Sequence, residues 1–236
     1  MFLLYKCISM KKVIPLILIA AIISPSCSHK YYTSTFFTQQ TANHKLIAVL
    51  PSEIIFTGKQ PKDITPEQIS KIEEEESLAF QQSLYGDILR YANSRKYYMF
   101  VGVQEIKTTM HILEENNISI KDSWKTDDKK LTEILGVDAI VRMQIRQKRY
   151  MSDYTSYGIS VVRGILSQTS IGNKLPIPRR LGRTEDIYAN CSVVSNDITL
   201  WNNNYEGSAD WDNPSNVIIE NITDNFGRNF PYKKRR

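Results

Sequence analysis

Leu46-Ile-Ala-Val-Leu50 is a short, unbroken apolar run stopped by Pro51, the pattern of a strand buried on both of its faces. Such a strand lies inside a covered sheet, so the chain needs helices as well as strands. The residues that follow supply them in alternation. Thr65-Pro66-Glu67-Gln68 offers a hydroxyl cap, a proline in the first turn and a glutamine three residues on, which opens a helix running to about Asn93. Its apolar positions are Ile69, Ile72, Phe80, Leu84, Ile88 and Tyr91, and Glu73 to Glu76 form a solvated face. Tyr97 to Val103 reads as a second strand, and Ile106, Met110 and Leu113 recur at helical spacing. Thr126 with Asp127 and Asp128 caps a further helix that Gly136 closes after Leu131, Ile134 and Leu135.

From Ala139 to Arg146 the apolar set Ala139, Val141, Met143 and Ile145 alternates with Ile140, Arg142, Gln144 and Arg146. One side of that strand meets the core and the other is wetter, which suggests a sheet edge or an uncovered face. Tyr157, Val161, Val162, Ile165 and Leu166 predict a helix over about 154–168. Residues 170–184 hold Gly172, Pro176, Pro178 and Gly182 beside Lys174, Arg179, Arg180 and Arg183, and so read as a basic loop. Ile187 to Val193 and Leu200 to Tyr205 flank the turn Ser195-Asn-Asp197 and predict a β-hairpin. Asn213-Pro214-Ser215 opens a last helix with Val217, Ile219, Ile222 and Phe226 on one face. The fold class expected is mixed α/β: one three-layer-like domain over 45–232, a mixed sheet with flanking helices, ending in a β-hairpin and a closing helix.

Ahead of this body, Lys11 and Lys12 precede the apolar run Val13 to Ile23, which is followed by Ser24-Pro-Ser-Cys27. The layout is that of a secretory signal over 1–26, with Met10 a candidate start. The run falls well short of the roughly 20 apolar residues that span a bilayer as a helix. Cys27 stands where the cysteine of a bacterial lipobox falls, although Ser24 occupies a position more often held by leucine. Lipidation of Cys27 would make it a membrane anchor. Residues 28–44 are polar and lack helical periodicity, so 27–44 reads as a lipidated cysteine and a flexible tether, and 233–236 as a basic tail. Ser28 is not the aspartate that retains enteric lipoproteins in the inner membrane, and no acidic run follows Cys27. The expected location is the outer membrane, facing the periplasm. Of the three cysteines, Cys7 would be removed and Cys27 lipidated, which would leave Cys191, expected as a buried small hydrophobe in a strand.

With 42% apolar and 23% charged residues the chain can build a globular core, and its formal charge of +5 looks at first like a nucleic-acid footprint. The charge sits at the ends. Lys6, Lys11, Lys12, Lys233, Lys234, Arg235 and Arg236 account for more than all of it, so the body is slightly acidic and nucleic acid is not expected as a partner. His29 and His44 lie in the tether, and His111 stands alone in a helix, where Glu114 makes a surface pair rather than a metal site. Asp197, Asp210 and Asp212 have the composition of turn formers. No G-x-S-x-G elbow, phosphate loop, dinucleotide turn or cysteine pair with metal spacing occurs. No catalytic residue, cofactor or metal is expected, and the chain is expected not to be an enzyme.

Leu46-Ile-Ala-Val-Leu-Pro51, then Leu135-Gly-Val-Asp-Ala-Ile-Val141, then the hairpin ending Leu200-Trp201 and a closing helix are the residues that carry a resemblance. In that order they resemble the periplasmic lipoproteins with an anticodon-binding-domain-like α/β fold, a group that includes CsgG, LpoB and the TolB amino-terminal domain. The resemblance implies a lipid-anchored, non-catalytic protein that binds a partner of the envelope assembly or secretion machinery. The alternative it offers is a self-assembling CsgG-like secretion channel or ring, a homo-oligomer. A CsgG-type channel needs two membrane-spanning hairpins with strands of about 9–11 alternating residues, where 147–186 reads as a helix and a Pro/Gly loop; the long tether of LpoB is absent. The candidate partner-binding residues are Arg142, Arg146, Arg179, Arg180 and Arg183.

Overall fold

In a computed structural model, which describes residues 31–58, 65–92, 94–149, 183–210 and 215–236, the apolar run at Leu46 lies inside a seven-stranded mixed sheet. The elements in chain order are β1 (Tyr31–Thr33), α1 (Phe37–Gln40), β2 (Leu46–Val49), β3 (Glu53–Gly58), α2 (Pro66–Ala92), β4 (Tyr97–Met99), β5 (Gly102–Val103), α3 (Ile106–Glu115), α4 (Ile120–Lys125), α5 (Asp128–Leu135), β6 (Ala139–Arg149), β7 (Arg183–Ser195), β8 (Ile198–Asp210), α6 (Ser215–Asn229) and β9 (Lys233–Arg235). The sheet runs β1-β8-β7-β6-β2-β5, with β3 also on β6, and β4 pairs β9 separately. β2, β3 and β5 are joined in parallel pairs to the β6 side of the sheet, while β6, β7, β8 and β1 are antiparallel to one another in turn.

Two apolar layers hold the sheet, as the run at Leu46 demands. On one side Phe80, Leu84 and Ile88 of α2 and Ile222 and Phe226 of α6 pack against Val141, Met143, Ile145, Ala189, Cys191 and Val193. On the other, Leu113 of α3 and Leu131 and Leu135 of α5 cover Ala48, Leu50, Ile140 and Val194. Full burial of each valine, leucine, isoleucine, phenylalanine or methionine among them contributes about 1.5–3 kcal/mol, and the mixed α/β class follows from having helices on both sides.

Local signals set the helix ends. Thr65 Oγ1 accepts from the Gln68 N–H at 3.3 Å while Gln68 Oε1 accepts from the Thr65 N–H at 2.8 Å, a reciprocal capping box. Gly136 closes α5 at φ +64°, a left-handed position that costs other residues strain. Asp127, not Thr126, caps α5, accepting from the Lys130 N–H at 3.0 Å. Thr126 instead ends α4, a helix the sequence did not announce, and its hydroxyl donates to the Asp122 carbonyl at 2.7 Å.

Several expectations change. The strand expected over 97–103 is two strands in different sheets: β4 pairs the carboxyl-terminal β9, and β5 pairs β2. Of the two readings of 139–146, a sheet edge or an uncovered face, the edge is excluded: the strand is interior, with β2 and β3 on one side and β7 on the other. Within the segment read as a tether, Tyr31–Thr33 pairs β8 and Phe37 is buried. The segment read as a tail contributes β9. Residues 147–149 and 183–186, expected outside strands, extend the β6–β7 ladder as far as Arg149 opposite Glu185. Val217, expected on the buried face of α6, is 40% exposed. The helix expected over 154–168 lies outside the described residues.

Candidate functional site

Among the described residues, α3 and α5 cover part of the second face of β6, β7 and β8, and beyond them its side chains form three largely polar rows. In the first row Arg142, Ser192, Asn202 and Tyr32 stand opposite one another on β6, β7, β8 and β1. The second holds Glu53, Gln144, Asn190 and Asn204, and the third Ile55, Arg146, Tyr188 and Glu206. The period of two along each strand puts all of them on one side. Tyr188 is 42% and Tyr32 56% exposed, and Arg146, Asn204 and Glu206 are exposed. The Asn190 amide donates to Asn202 Oδ1 at 3.0 Å and to Asn204 Oδ1 at 2.7 Å, which stiffens the middle of the face.

A groove of about 410 Å³ opens where the helices end. A bulge shapes one wall: between Val49 opposite Val141 and Glu53 opposite Gln144, four steps of the outer strand match three of β6, so the extra residue at Pro51 kinks the edge. Gln81 on α2 donates to the Val49 carbonyl at 2.8 Å just before that kink. The opposite wall is the α4–α5 junction with Trp124, Asp127 and Asp128, joined by Asp197 of the hairpin turn.

Arg142 crosses the groove. Its Nε donates to Asp128, Nη2 to the Thr126 carbonyl at 2.6 Å, and Nη1 to the Ser123 and Trp124 carbonyls at 3.1 and 3.4 Å. These carbonyls end α4, and the cation also sits at the negative end of the helix dipole. Each carboxylate of the groove has a donor: Glu53 takes Gln144 Nε2 at 2.6 Å, Asp197 takes the Lys129 N–H at 3.2 Å, and Asp127 takes Lys130. The groove is thus acidic and rigid, suited to amine, guanidinium or amide donors rather than to anions.

A second cluster lies at the foot of the sheet. Asp138 accepts from the N–H groups of Lys45 and Leu46 at 2.6 and 2.9 Å and fixes the entry of β2. Burial works against its charge, but those two donors and the neighbouring His44 hold its pKa below the usual carboxylate value. His44 Nδ1 lies 2.7 Å from the Tyr232 hydroxyl. Burial lowers the His44 pKa, and burial with the Asp138 charge pushes that of Tyr232 up.

Among the residues singled out from sequence, Arg142 and Arg146 share the open face, the first engaged within the domain and the second exposed. Arg183 lies in β7 opposite Asp210. Arg179, Arg180, Cys27 and His29 lie outside the described residues. Cys191 is a free, fully buried thiol in β7 whose pKa burial raises. His111 pairs with Glu115 at 3.3 Å rather than with Glu114. The carboxylates of 73–76 are not all solvated, since Glu73 holds Lys121 at 2.5 Å and Glu76 accepts from Gln147 at 2.8 Å. The asparagine ladder, Gln81 and the His44–Tyr232 contact were not legible in the sequence, because each joins residues whose spacing carries no local pattern.

No family profile matches the chain, and no curated protein matches it in sequence. Solved structures do resemble it. The lipoprotein GNA1162 from Neisseria meningitidis is 10% identical, covers 79% of this chain and 99% of its own, and has a TM-score of 0.41. The PelC dodecamer from Paraburkholderia phytofirmans is 5% identical over 78% of this chain and 85% of its own, with a TM-score of 0.35. The LpoB C-terminal domain from Salmonella enterica is 8% identical over 74% of this chain and 93% of its own, with a TM-score of 0.31.

Proposed function

We propose that the chain is a lipid-anchored, non-catalytic protein of the outer membrane, facing the periplasm, that binds a protein partner of envelope assembly or secretion through the open face of β6, β7 and β8. The observation that carries this reading is the exposed row of Arg146 and Tyr188 in register, with Tyr32 two rows away on the same face. Tyrosine and arginine are the residues over-represented at the centres of protein interfaces, because each offers contact area together with a polar end. The asparagine ladder below them keeps the backbone of the platform in one shape, which lowers the ordering cost of binding. The acidic groove beside the platform would receive a basic side chain of the partner.

The anchor in this reading is Cys27, carried by the signal-like segment that precedes it. The test is native mass spectrometry of the chain extracted from membranes in mild detergent. The expected species has the mass of residues 27–236 plus acyl chains, in complex with a different protein. Arg146→Glu with Tyr188→Ala should keep the acyl mass and lose the partner. A ring of identical subunits would move the reading to a self-assembling channel, and an unlipidated species would remove the anchor.

A further inference from the structure

The groove and the open face leave a third surface unused, the ribbon made by β4 and β9. Tyr97, Tyr98 and Met99 lie opposite Arg235, Lys234 and Lys233, and the Arg236 N–H donates to the Lys96 carbonyl at 3.1 Å. Arg95, Lys96, Lys234, Arg235 and Arg236 are all exposed, and no aspartate or glutamate occurs in 94–100 or 230–236. Tyr98 stands 40% exposed among these charges, and Lys234 Nζ lies over the Phe100 ring at 4.6 Å from its centroid. The lysine of the inner row is used differently: Lys233 donates to the Gly227 and Arg228 carbonyls at 3.0 and 2.5 Å. The carboxylates near its ring neighbour Tyr91 are taken as well, Asp87 by Arg90 and Asp224 by Arg90 and Arg228. Among the described residues, Lys96, Lys234, Arg235 and Arg236 form no side-chain ion pair, and Lys96 and Lys234 lie over the Tyr97 and Phe100 rings.

The ribbon also borders the segment that leads to the anchor. Phe37 and Thr41 share a cleft of about 220 Å³ with Phe100, Lys233 and Lys234, and Phe37 packs on Tyr232 at 5.4 Å between ring centroids. Phe36, next to that cleft in sequence, is 61% exposed. We propose that the β4–β9 ribbon is a docking surface for anionic phospholipid headgroups, with Phe36 and Tyr98 as its interfacial aromatics, so that the domain lies on the membrane. Charge complementarity names the occupant: clustered lysine and arginine beside exposed aromatics is the surface an anionic bilayer attracts. Chain length agrees. Only residues 28–30 separate Cys27 from β1, a reach of roughly 14 Å at full extension, and this part of the inference rests on the lipidated Cys27 proposed above.

The experiment uses the full chain with Cys27→Ser, so that its outcome does not depend on lipidation, and measures co-sedimentation with two kinds of vesicle. One contains phosphatidylethanolamine and phosphatidylglycerol, the other phosphatidylcholine alone. The apolar amino-terminal run is common to every arm, so the quantity read is the ratio of binding to anionic over neutral vesicles. That ratio is expected to be about tenfold or more at low salt and to fall as salt rises. Lys234→Glu with Arg235→Glu and Arg236→Glu should bring it close to one. Lys107→Glu with Lys129→Glu and Lys130→Glu, an equal charge change on α3 and α5, should leave it high. An equal fall in both triple variants, or an anionic preference that salt does not weaken, would overturn the proposal, and the salt arm decides it in the unaltered ribbon should the first variant fold poorly. Absence of acyl chains on Cys27 in the native chain would instead overturn the anchor while leaving the ribbon result standing.

Discussion

At the scale of single residues, Arg142 shows how a charge on a binding face can belong to the fold. Its guanidinium satisfies three carbonyls at the end of α4 and pairs with Asp128, so removing it leaves acceptors and a carboxylate without donors. Arg142→Ala is expected to lower stability by about 2–3 kcal/mol. Arg142→Lys should recover little of it, since an ammonium cannot reproduce the planar fork. Urea unfolding of the two variants checks this, and near-native midpoints in both would show that the network contributes nothing. Asp138 offers a comparable case at the start of β2. Asp138→Ala frees the N–H groups of Lys45 and Leu46 and should cost about 1.5–3 kcal/mol, with increased hydrogen exchange at those two amides as the local signature.

At the scale of elements, the closest approach of two helices depends on one glycine. A Cβ at Gly227 of α6 would lie 2.8 Å from Asp87 Cβ and 2.9 Å from the Asp87 carbonyl carbon on α2, so Gly227→Ala forces the helices apart. The expected loss is about 1–3 kcal/mol, read from the thermal midpoint; an unchanged midpoint would mean the two helices slide freely. This contact also marks the boundary of what the sequence discloses. Caps, stops and amphipathic faces are local, and Thr65 with Gln68, Gly136, and the hairpin around Asn196 could all be read from neighbouring residues. The alternation in Ala139 to Arg146 reports which side chains face the core. It says nothing about which strands bond to the two backbone edges, because those hydrogen bonds run in the plane of the sheet, and for that reason the alternation alone leaves a sheet edge and an uncovered face undistinguished. The division of 97–103 arises because Tyr97–Met99 finds its partner at the far end of the chain. The Tyr31–Thr33 strand depends likewise on β8. The site followed the same rule. Arg142 and Arg146 were legible as a wet face, whereas Tyr188 and Tyr32 joined them only through register.

At the scale of the whole described domain, the segments 31–44 and 230–235 pack together, and that packing has a pH signature. Lys233 lies half-buried under α6, and burial pushes its pKa down to about 8 from an ordinary 10.5. Between those values the unfolded chain binds more protons at this residue than the folded one, so stability rises with pH across that window. Tyr232, the preceding residue, acts in the opposite sense. Its pKa is raised above the ordinary 10.0 by burial and by the Asp138 charge, so above about pH 10 the folded state holds the extra proton and stability falls as pH rises. Asp138 and Asp224 act on the acid side: their depressed pKa values give stability that is present above about pH 4 and is lost as pH falls through the folded values, and the lowered pKa of His44 adds a rise in stability as pH passes up through about 6.5. The expected profile therefore climbs from about pH 8 to about pH 10 and turns down beyond it. Lys233→Met should flatten the climb, because a methionine can lie beside the Tyr91 and Tyr97 rings, whose centroids are 5.3 and 5.5 Å from Lys233 Nζ, without a charge to desolvate. Tyr232→Phe should delay the downturn while losing the His44 contact. Thermal midpoints of the three chains measured from pH 4 to 11 decide the matter, and parallel curves for the native chain and Lys233→Met would show that the carboxyl-terminal lysine is not held against the body of the domain.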